Sequence, residues 1–307
     1  MALKRGVPPV LGFDQAWASF ARHRRAENMS PHTLTAYSAA ATQLRDFLQS
    51  RGASTAPADI RREDVQDFID HVRDTRSAAT AATRYWGVRA FFAWLVDEGE
   101  IDRSPLDRVK PPAIEERPPD VLSDEDIAAL LRVCGGRSFE DRRDAALIRF
   151  MLDAGVRVGE LAGMTVDGLD LDDGRTRVMG KGRRERDVYF GPKTARDLDR
   201  YLRLRSAHRY ADLPVLWLGL KGALTTSGVG QLLKQRAAQA GLDPARIHAH
   251  LFRHTFAHAW KAAGGSEEDL MTLGGWRSST VMRRYGASAA SARARDAHRR
   301  LAPGDRV

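Results

Sequence analysis

Residues 248–260 read HAHLFRHTFAHAW and place His248, His250, His254 and His258 in one short stretch. His254 and His258 are four apart, so a helix sets both imidazoles on one face, a spacing that zinc sites use. A zinc protease helix also needs a glutamate after its first histidine, and here that position is Thr255. Arg253 sits beside His254, and a fixed positive charge opposes a dication. Anion chemistry suits the stretch better. His250 and Arg253 form H-x-x-R at the start of a helix, where backbone N–H groups favour anions. A guanidinium offers a planar fork of donors to phosphate oxygens. In a chain this rich in arginine, roughly one H-x-x-R arises by accident, so the pair carries weight only with further residues.

Those residues are present. Arg157 lies in AGVRVGEL, just past the end of an apolar helix. Lys181 stands between Gly180 and Gly182 at a hairpin tip, and Trp276 and Tyr285 follow in GGWRSSTVMRRYG. Two arginines, a lysine, a histidine and a tyrosine make a complete set for phosphoryl transfer without a metal. A tyrosine hydroxyl, with a pKa of about 10, is a weak nucleophile at neutral pH; cations such as Arg253 favour its phenolate. An aryl phosphodiester keeps the energy of the bond it replaces. The chain has no Walker motif and no G-x-G-x-x-G opening a helix after a strand, and no cofactor and no metal are expected. Each residue also has a plain reading. Singly, Tyr285 is a helix-end aromatic, Trp276 a packing residue, Lys181 an exposed turn, Arg157 a helix cap and Glu160 a surface acid.

The elements that must position these side chains follow from periodicity. Phe13, Trp17 and Phe20 mark a first helix. Ser30-Pro31 starts a second, with Leu34, Tyr37, Ala41, Leu44 and Leu48 on one face. Val65, Phe68, Ile69 and Val72 mark a third, and Tyr85, Val88, Phe92 and Leu95 a fourth. Short connections make this a helical bundle. The proline-rich stretch RVKPPAIEERPPD suits an extended linker, which sets an N-terminal domain over 1–107, a linker over 108–119 and a second domain over 120–307. That second domain opens at Ser123 as an N-cap and continues with an apolar helix over 145–154, stopped by Gly155. From Leu169 to Phe190 the pattern alternates around turns at Asp173-Gly174 and Gly180-Lys181-Gly182, giving a three-stranded antiparallel sheet. Helical spacing resumes over 194–205, 227–240 and 251–263, then in a short helix from Ser266 through Met271, in another over 281–285 and in the tail over 287–301. The fold class is mainly α with a small antiparallel β-sheet (α+β).

The 307 residues are 43% hydrophobic and carry a net charge of +9, a balance that favours an anionic partner such as nucleic acid. The single cysteine, Cys134, allows no intramolecular disulfide and reads as a small buried side chain. MALKRGVPPVLGF holds no apolar run fit for a signal peptide, and no stretch approaches a membrane span. No membrane partner is expected, and the location expected is cytoplasmic, with the nucleoid.

In order along the chain, AGVRVGEL, GKGRRER, HAHLFRHTFAHA and LGGWRSSTVMRRYG resemble the arginine, lysine, H-x-x-R and nucleophile boxes of the tyrosine recombinases, or phage-type integrases, including the Xer group. SPHTLTAYSAAATQLRDFL resembles that family's N-terminal core-binding domain, so the likeness spans nearly the whole chain. The resemblance implies that Tyr285 attacks a DNA phosphate to give a 3′-phosphotyrosine link. Arg157 and Arg253 would hold the non-bridging oxygens, and Lys181 would protonate the departing 5′ oxygen. His250 would assist in acid–base work, Trp276 would reach the phosphate through its indole N–H, and Glu160 would position its neighbours. One departure stands out. Many relatives carry histidine where this chain has Trp276, and indole donates a hydrogen bond but cannot shuttle a proton.

The resemblance also implies double-stranded DNA with a short inverted-repeat site as partner, clamped between the two domains. Four protomers would act through a Holliday junction, with or without a second recombinase or accessory protein, and the tail would dock on a neighbouring subunit. Three other readings stay open: a non-catalytic DNA-binding protein on the same fold, a type IB topoisomerase-like enzyme that relaxes DNA, and a metal hydrolase built on His254 and His258.

Overall fold

The computed structural model describes residues 12–114, 119–180 and 184–276, with residues 295, 298, 299 and 302. The expected helix over 281–285 and nearly all of the expected tail helix lie outside the described residues. The chain divides into two compact units, 1–115 and 116–307.

The first unit holds four helices: α1 (Phe13–Ala26), α2 (Pro31–Ser50), α3 (Arg62–Thr75) and α4 (Ala78–Asp97). The Ser30 hydroxyl accepts the N–H of Thr33 and Pro31 fills the first helical position, as the sequence predicts. α4 is the central element. It buries Tyr85, Val88, Phe92 and Leu95, and also Ala81, Phe91 and Trp94, so most of its circumference faces protein. Gly87 lets it approach α2 closely, since a Cβ there would lie 2.8 Å from the Ala40 methyl. In the proline-rich segment, Val109 is buried against this core and its carbonyl accepts the Tyr85 hydroxyl at 2.7 Å.

The second unit begins with α5 (Asp124–Val133), where Ser123 and Asp126 form a reciprocal capping box. α6 (Phe139–Ala154) follows, capped by Ser138 and ended by Gly155 at φ 55°. It starts well before the expected residue 145, because its first turns are charged and hide the apolar period. α7 (Val158–Ala162) leads into β1 (Leu169–Asp170), β2 (Arg175–Gly180) and β3 (Arg184–Tyr189), an antiparallel sheet in chain order. Its register pairs Arg175 with Tyr189 and Gly180 with Arg184. α8 (Pro192–Arg205) packs along α6. The hairpin of β4 (Leu218–Gly219) and β5 (Gly222–Ala223) is an addition to the predicted elements. α9 (Thr226–Gln239), α10 (Ala249–Ala262) and α11 (Glu267–Gly274) complete the described part. Ser266 caps α11 as expected, but the helix runs on past Met271 to Gly274. Phe150, Trp217, Tyr201 and Phe252 form the middle of the core, and all four are fully buried. Cys134 is buried too, and burial pushes its thiol up to about 12, which leaves it protonated and unreactive.

Candidate active site

Three segments meet at the C-terminal end of α11. Gly155 ends α6 in the left-handed region, and the chain turns at once into α7 with Arg157 as its N-cap. The Arg157 backbone N–H donates to Glu160 Oε2 at 2.8 Å, and its Nη1 donates to Oε1 at 2.8 Å. Arg157 Nη2 then reaches the Gly275 carbonyl at 2.8 Å. The arginine therefore caps the helix that follows it, while its guanidinium crosses to α11.

Arg253 comes from the first turns of α10 and is 3% exposed. Nη1 donates to the Gly155 carbonyl and Nη2 to the Gly274 carbonyl, each at 2.6 Å. Its guanidinium carbon lies 3.7 Å from the ring centroid of Trp276, a stacked cation–π contact. Trp276 in turn lies so close over Gly274 that a Cβ there would overlap the indole. The glycine pair before the tryptophan therefore has two uses. Gly274 admits the ring, and Gly275, at φ 63°, ends the helix.

Glu160 is 5% exposed and sits at the centre of this group. Burial acts to raise its pKa, but hydrogen bonds from Arg186 and from the Arg157 backbone outweigh it and hold the carboxyl at about 2. Arg186 is the member that sequence reasoning missed. It stands on β3, where Nη1 and Nη2 grip Glu160 Oε1 and Oε2, both at 2.8 Å. A signal existed. Arg186 is two residues before the buried Val188, so strand alternation puts both on the inward face.

His250 occupies the first turn of α10, three residues before Arg253. Burial, then the charge of Arg253, lowers its pKa. Its ring lies 6.1 Å from that of His254, at 19° between planes. Burial first, and then His250, brings His254 down to about 4, so it is a neutral imidazole at pH 7. His248 serves as the N-cap, its Nδ1 accepting the Leu251 N–H at 3.2 Å. Thr255, where a zinc protease would carry its glutamate, accepts the Leu122 N–H and donates to the Leu251 carbonyl, both at 2.9 Å. Among the described residues, no group of three or more His, Cys, Asp or Glu side chains could hold a metal ion.

Arg157, Glu160, Arg253 and Trp276 are thus brought together, with His250 beside them. Lys181 and Tyr285 lie outside the described residues. Gly180, the last residue of β2, borders the site: a Cβ there would be 3.6 Å from Glu160 Oε1.

This arrangement can hold an anion against fixed positive charge. Comparison with known proteins points the same way. Residues 120–292 match the model of the phage integrase family, and residues 19–99 match that of the phage integrase N-terminal SAM-like domain. The tyrosine recombinase XerC of Chromobacterium violaceum is 31% identical, over 82% of this chain and 83% of that protein. The crystal structure of the XerH site-specific recombinase, bound to a palindromic difH substrate after cleavage, has a TM-score of 0.76. It is 18% identical and covers 94% of this chain and 84% of its own. A lambda integrase tetramer bound to a Holliday junction has a TM-score of 0.72 at 15% identity, covering 91% of this chain and 78% of its own. These two likenesses concern the fold.

Proposed function

Because the chain belongs to the phage integrase family, we propose that it is a site-specific DNA recombinase that cuts and rejoins strands through a tyrosine. The observation that carries this reading is the convergence of Arg157 and Arg253 on the end of α11, around the ionised Glu160. In this reading Tyr285 Oη attacks a DNA phosphorus as its proton passes to the neutral His250. The bond to the 5′ oxygen breaks, and Lys181 gives that oxygen its proton. A 3′-phosphotyrosine remains, and the 5′ hydroxyl of another strand reverses the step on a new partner. Arg157 and Arg253 stabilise the charge that grows on the non-bridging oxygens. His250 assists proton movement from the neutral form that its surroundings favour, Trp276 holds Arg253 by its face and offers its N–H to the phosphate, and Glu160 fixes Arg157. Phosphate exchange of this kind conserves bond energy, so the reaction calls for neither ATP nor metal.

The substrate in this proposal is double-stranded DNA with a short inverted-repeat site. Residues 1–107 form the helical DNA-holding domain, 108–119 the linker and 120–307 the catalytic domain. Four protomers act together through a Holliday junction, as the tetrameric lambda integrase complex suggests for that enzyme. No helix among the described residues is long and apolar enough to cross a membrane, and the proposed place of work is the cytoplasmic nucleoid.

Covalent trapping in cells tests this. Tagged wild type and Tyr285→Phe are expressed, lysed in denaturing detergent, and the attached DNA is sequenced. The expected result is DNA held by wild type alone and enriched at an inverted repeat. DNA still attached covalently to Tyr285→Phe removes the assigned nucleophile. DNA recovered only under native conditions, from both proteins, indicates a binding protein instead. Relaxation of supercoiled DNA by a monomer, with no exchange between sites, indicates the topoisomerase-like reading.

A further inference from the structure

Arg186 ends the GKGRRER stretch, where the sequence reading singled out Lys181 alone, yet it joins three elements of the site. From β3 it makes a two-bond fork to Glu160 in α7 and donates Nε to the Leu273 carbonyl of α11 at 2.9 Å. The same carboxylate accepts Arg157 through its backbone N–H and through Nη1. Glu160 thus accepts four N–H bonds, which fills about the four lone-pair sites of a carboxylate. With its side chain 3% exposed, water cannot take over any of them.

The hydrogen bonds to α11 form a series. Arg186 donates to the carbonyl of Leu273, Arg253 to that of Gly274 and Arg157 to that of Gly275. Three arginines from three elements thus hold three consecutive main-chain oxygens. These are end carbonyls of a helix, which lack intrahelical partners and carry the negative end of its dipole. Arg186 is buried more deeply than Arg157, its side chain 15% exposed against 38%, and it grips Glu160 with two bonds where the Arg157 guanidinium makes one.

We infer that Arg186 is a positioning residue, which ties Glu160 and the end of α11 into one unit and so aims the Arg157 guanidinium. This rests on the recombinase reading above. Without Arg186, Glu160 keeps one arginine, and its buried charge loses the fork that offsets the cost of burial. The carboxylate can then rotate or take a proton, and Arg157 loses its fixed backing. A displacement of about 1 Å at a reacting group costs on the order of 100-fold in rate.

The test uses the full chain. Arg186→Gln and Arg186→Lys are compared with wild type on the DNA recovered by trapping. Two quantities are read separately: the first-order rate of covalent adduct formation at saturating protein, and DNA affinity. We expect Arg186→Gln to lose about 100-fold in the rate while affinity stays within about threefold. The loss deepens as pH falls, because Glu160 protonates more readily. Without DNA, the Glu160 carboxyl, followed by carbon-13 NMR, should titrate about one unit higher or more in Arg186→Gln. Arg186→Lys keeps the charge but not the fork, and recovers part of the rate.

An Arg186→Gln protein that cleaves at the wild-type rate, with Glu160 titrating as before, overturns the inference. So does a joint fall of rate, affinity and melting temperature with an unchanged pH profile and no recovery in Arg186→Lys, which marks a merely structural residue. A wild type that forms no adduct removes the recombinase reading itself, and this inference with it.

Discussion

Two arginine clusters lie in the second unit, and they are built on opposite terms. In one, Arg143 and Arg236 are buried beside Asp144 and Asp141. Arg143 Nε meets Asp144 Oδ1 at 2.8 Å, Arg236 Nε meets Asp144 Oδ2 at 2.7 Å, and Arg236 Nη2 meets Asp141 Oδ1 at 3.0 Å. Further N–H groups go to the carbonyls of Leu218 and Val133. Two guanidiniums face two carboxylates, so the charge is balanced and the group fastens α6 to α9. In the other cluster, the carboxylate that meets Arg157 and Arg186 is Glu160, further bonds of Arg157, Arg186 and Arg253 go to main-chain carbonyls, and Arg253 stacks on Trp276. A carbonyl satisfies a donor without cancelling its charge. The first arrangement spends its arginines on architecture. The second holds them rigid and leaves their field available to an anion.

Substitutions can break or sharpen that contrast. The largest effect on folding is expected at Arg236→Ala, which leaves the buried Asp144 with Arg143 alone and takes the arginine from the partly buried Asp141. Breaking a buried ion pair costs about 3–5 kcal/mol, read as a lowered melting temperature and denaturant midpoint. Arg157→Ala should act on chemistry instead. Its side chain is 38% exposed, and without it Glu160 keeps the Arg186 fork and the Arg157 backbone N–H. Adduct formation should fall by about 100- to 1,000-fold, with a melting temperature close to that of wild type. If Arg157→Ala unfolds the protein and Arg236→Ala does not, the contrast fails.

A smaller effect concerns pH. Folded His254 titrates near 4, lowered mainly by burial, while the unfolded chain takes up that proton near the ordinary histidine value of about 6.5. Stability should therefore fall as pH drops from about 6.5 toward 4, by at most about 1.4 kcal/mol per pH unit for one proton. His254→Gln should flatten this slope in acid denaturation curves. Glu160 acts lower on the scale. Its depressed pKa contributes stability above the ordinary carboxylate value, and that stability is lost as pH falls toward about 2.

What could be read from the sequence was what is local. Arg157 and Glu160 are three apart, His250 and Arg253 are three apart, and Trp276 follows its glycine pair directly, so short motifs preserve their relations. The amphipathic helices of the first unit were legible for the same reason. Leu44 and Leu48, for instance, share one turn-to-turn face, and both are buried. Arg186 escaped because its partner is 26 residues away across a strand pairing. Its role is set by tertiary register rather than by spacing. The β4–β5 hairpin escaped because two-residue strands are too short to show alternation. The first turns of α6 escaped because Arg143 and Asp144, although buried, look like surface residues until Arg236 is placed beside them.

The three carbonyls at the end of α11 have a further consequence. An equilibrium that joins two events through one set of contacts is reciprocal. If a bound anion draws Arg157 away from the Gly275 oxygen, the hold on α11 weakens by some free energy. A change that loosens α11 must then alter the anion's affinity by that same amount. Leu273→Ala leaves its oxygen in place, while at Gly274 and Gly275 an added Cβ meets the Trp276 ring or a left-handed φ, so the linkage belongs to the backbone, and replacing the amide by an ester would probe it where alanine scanning would not.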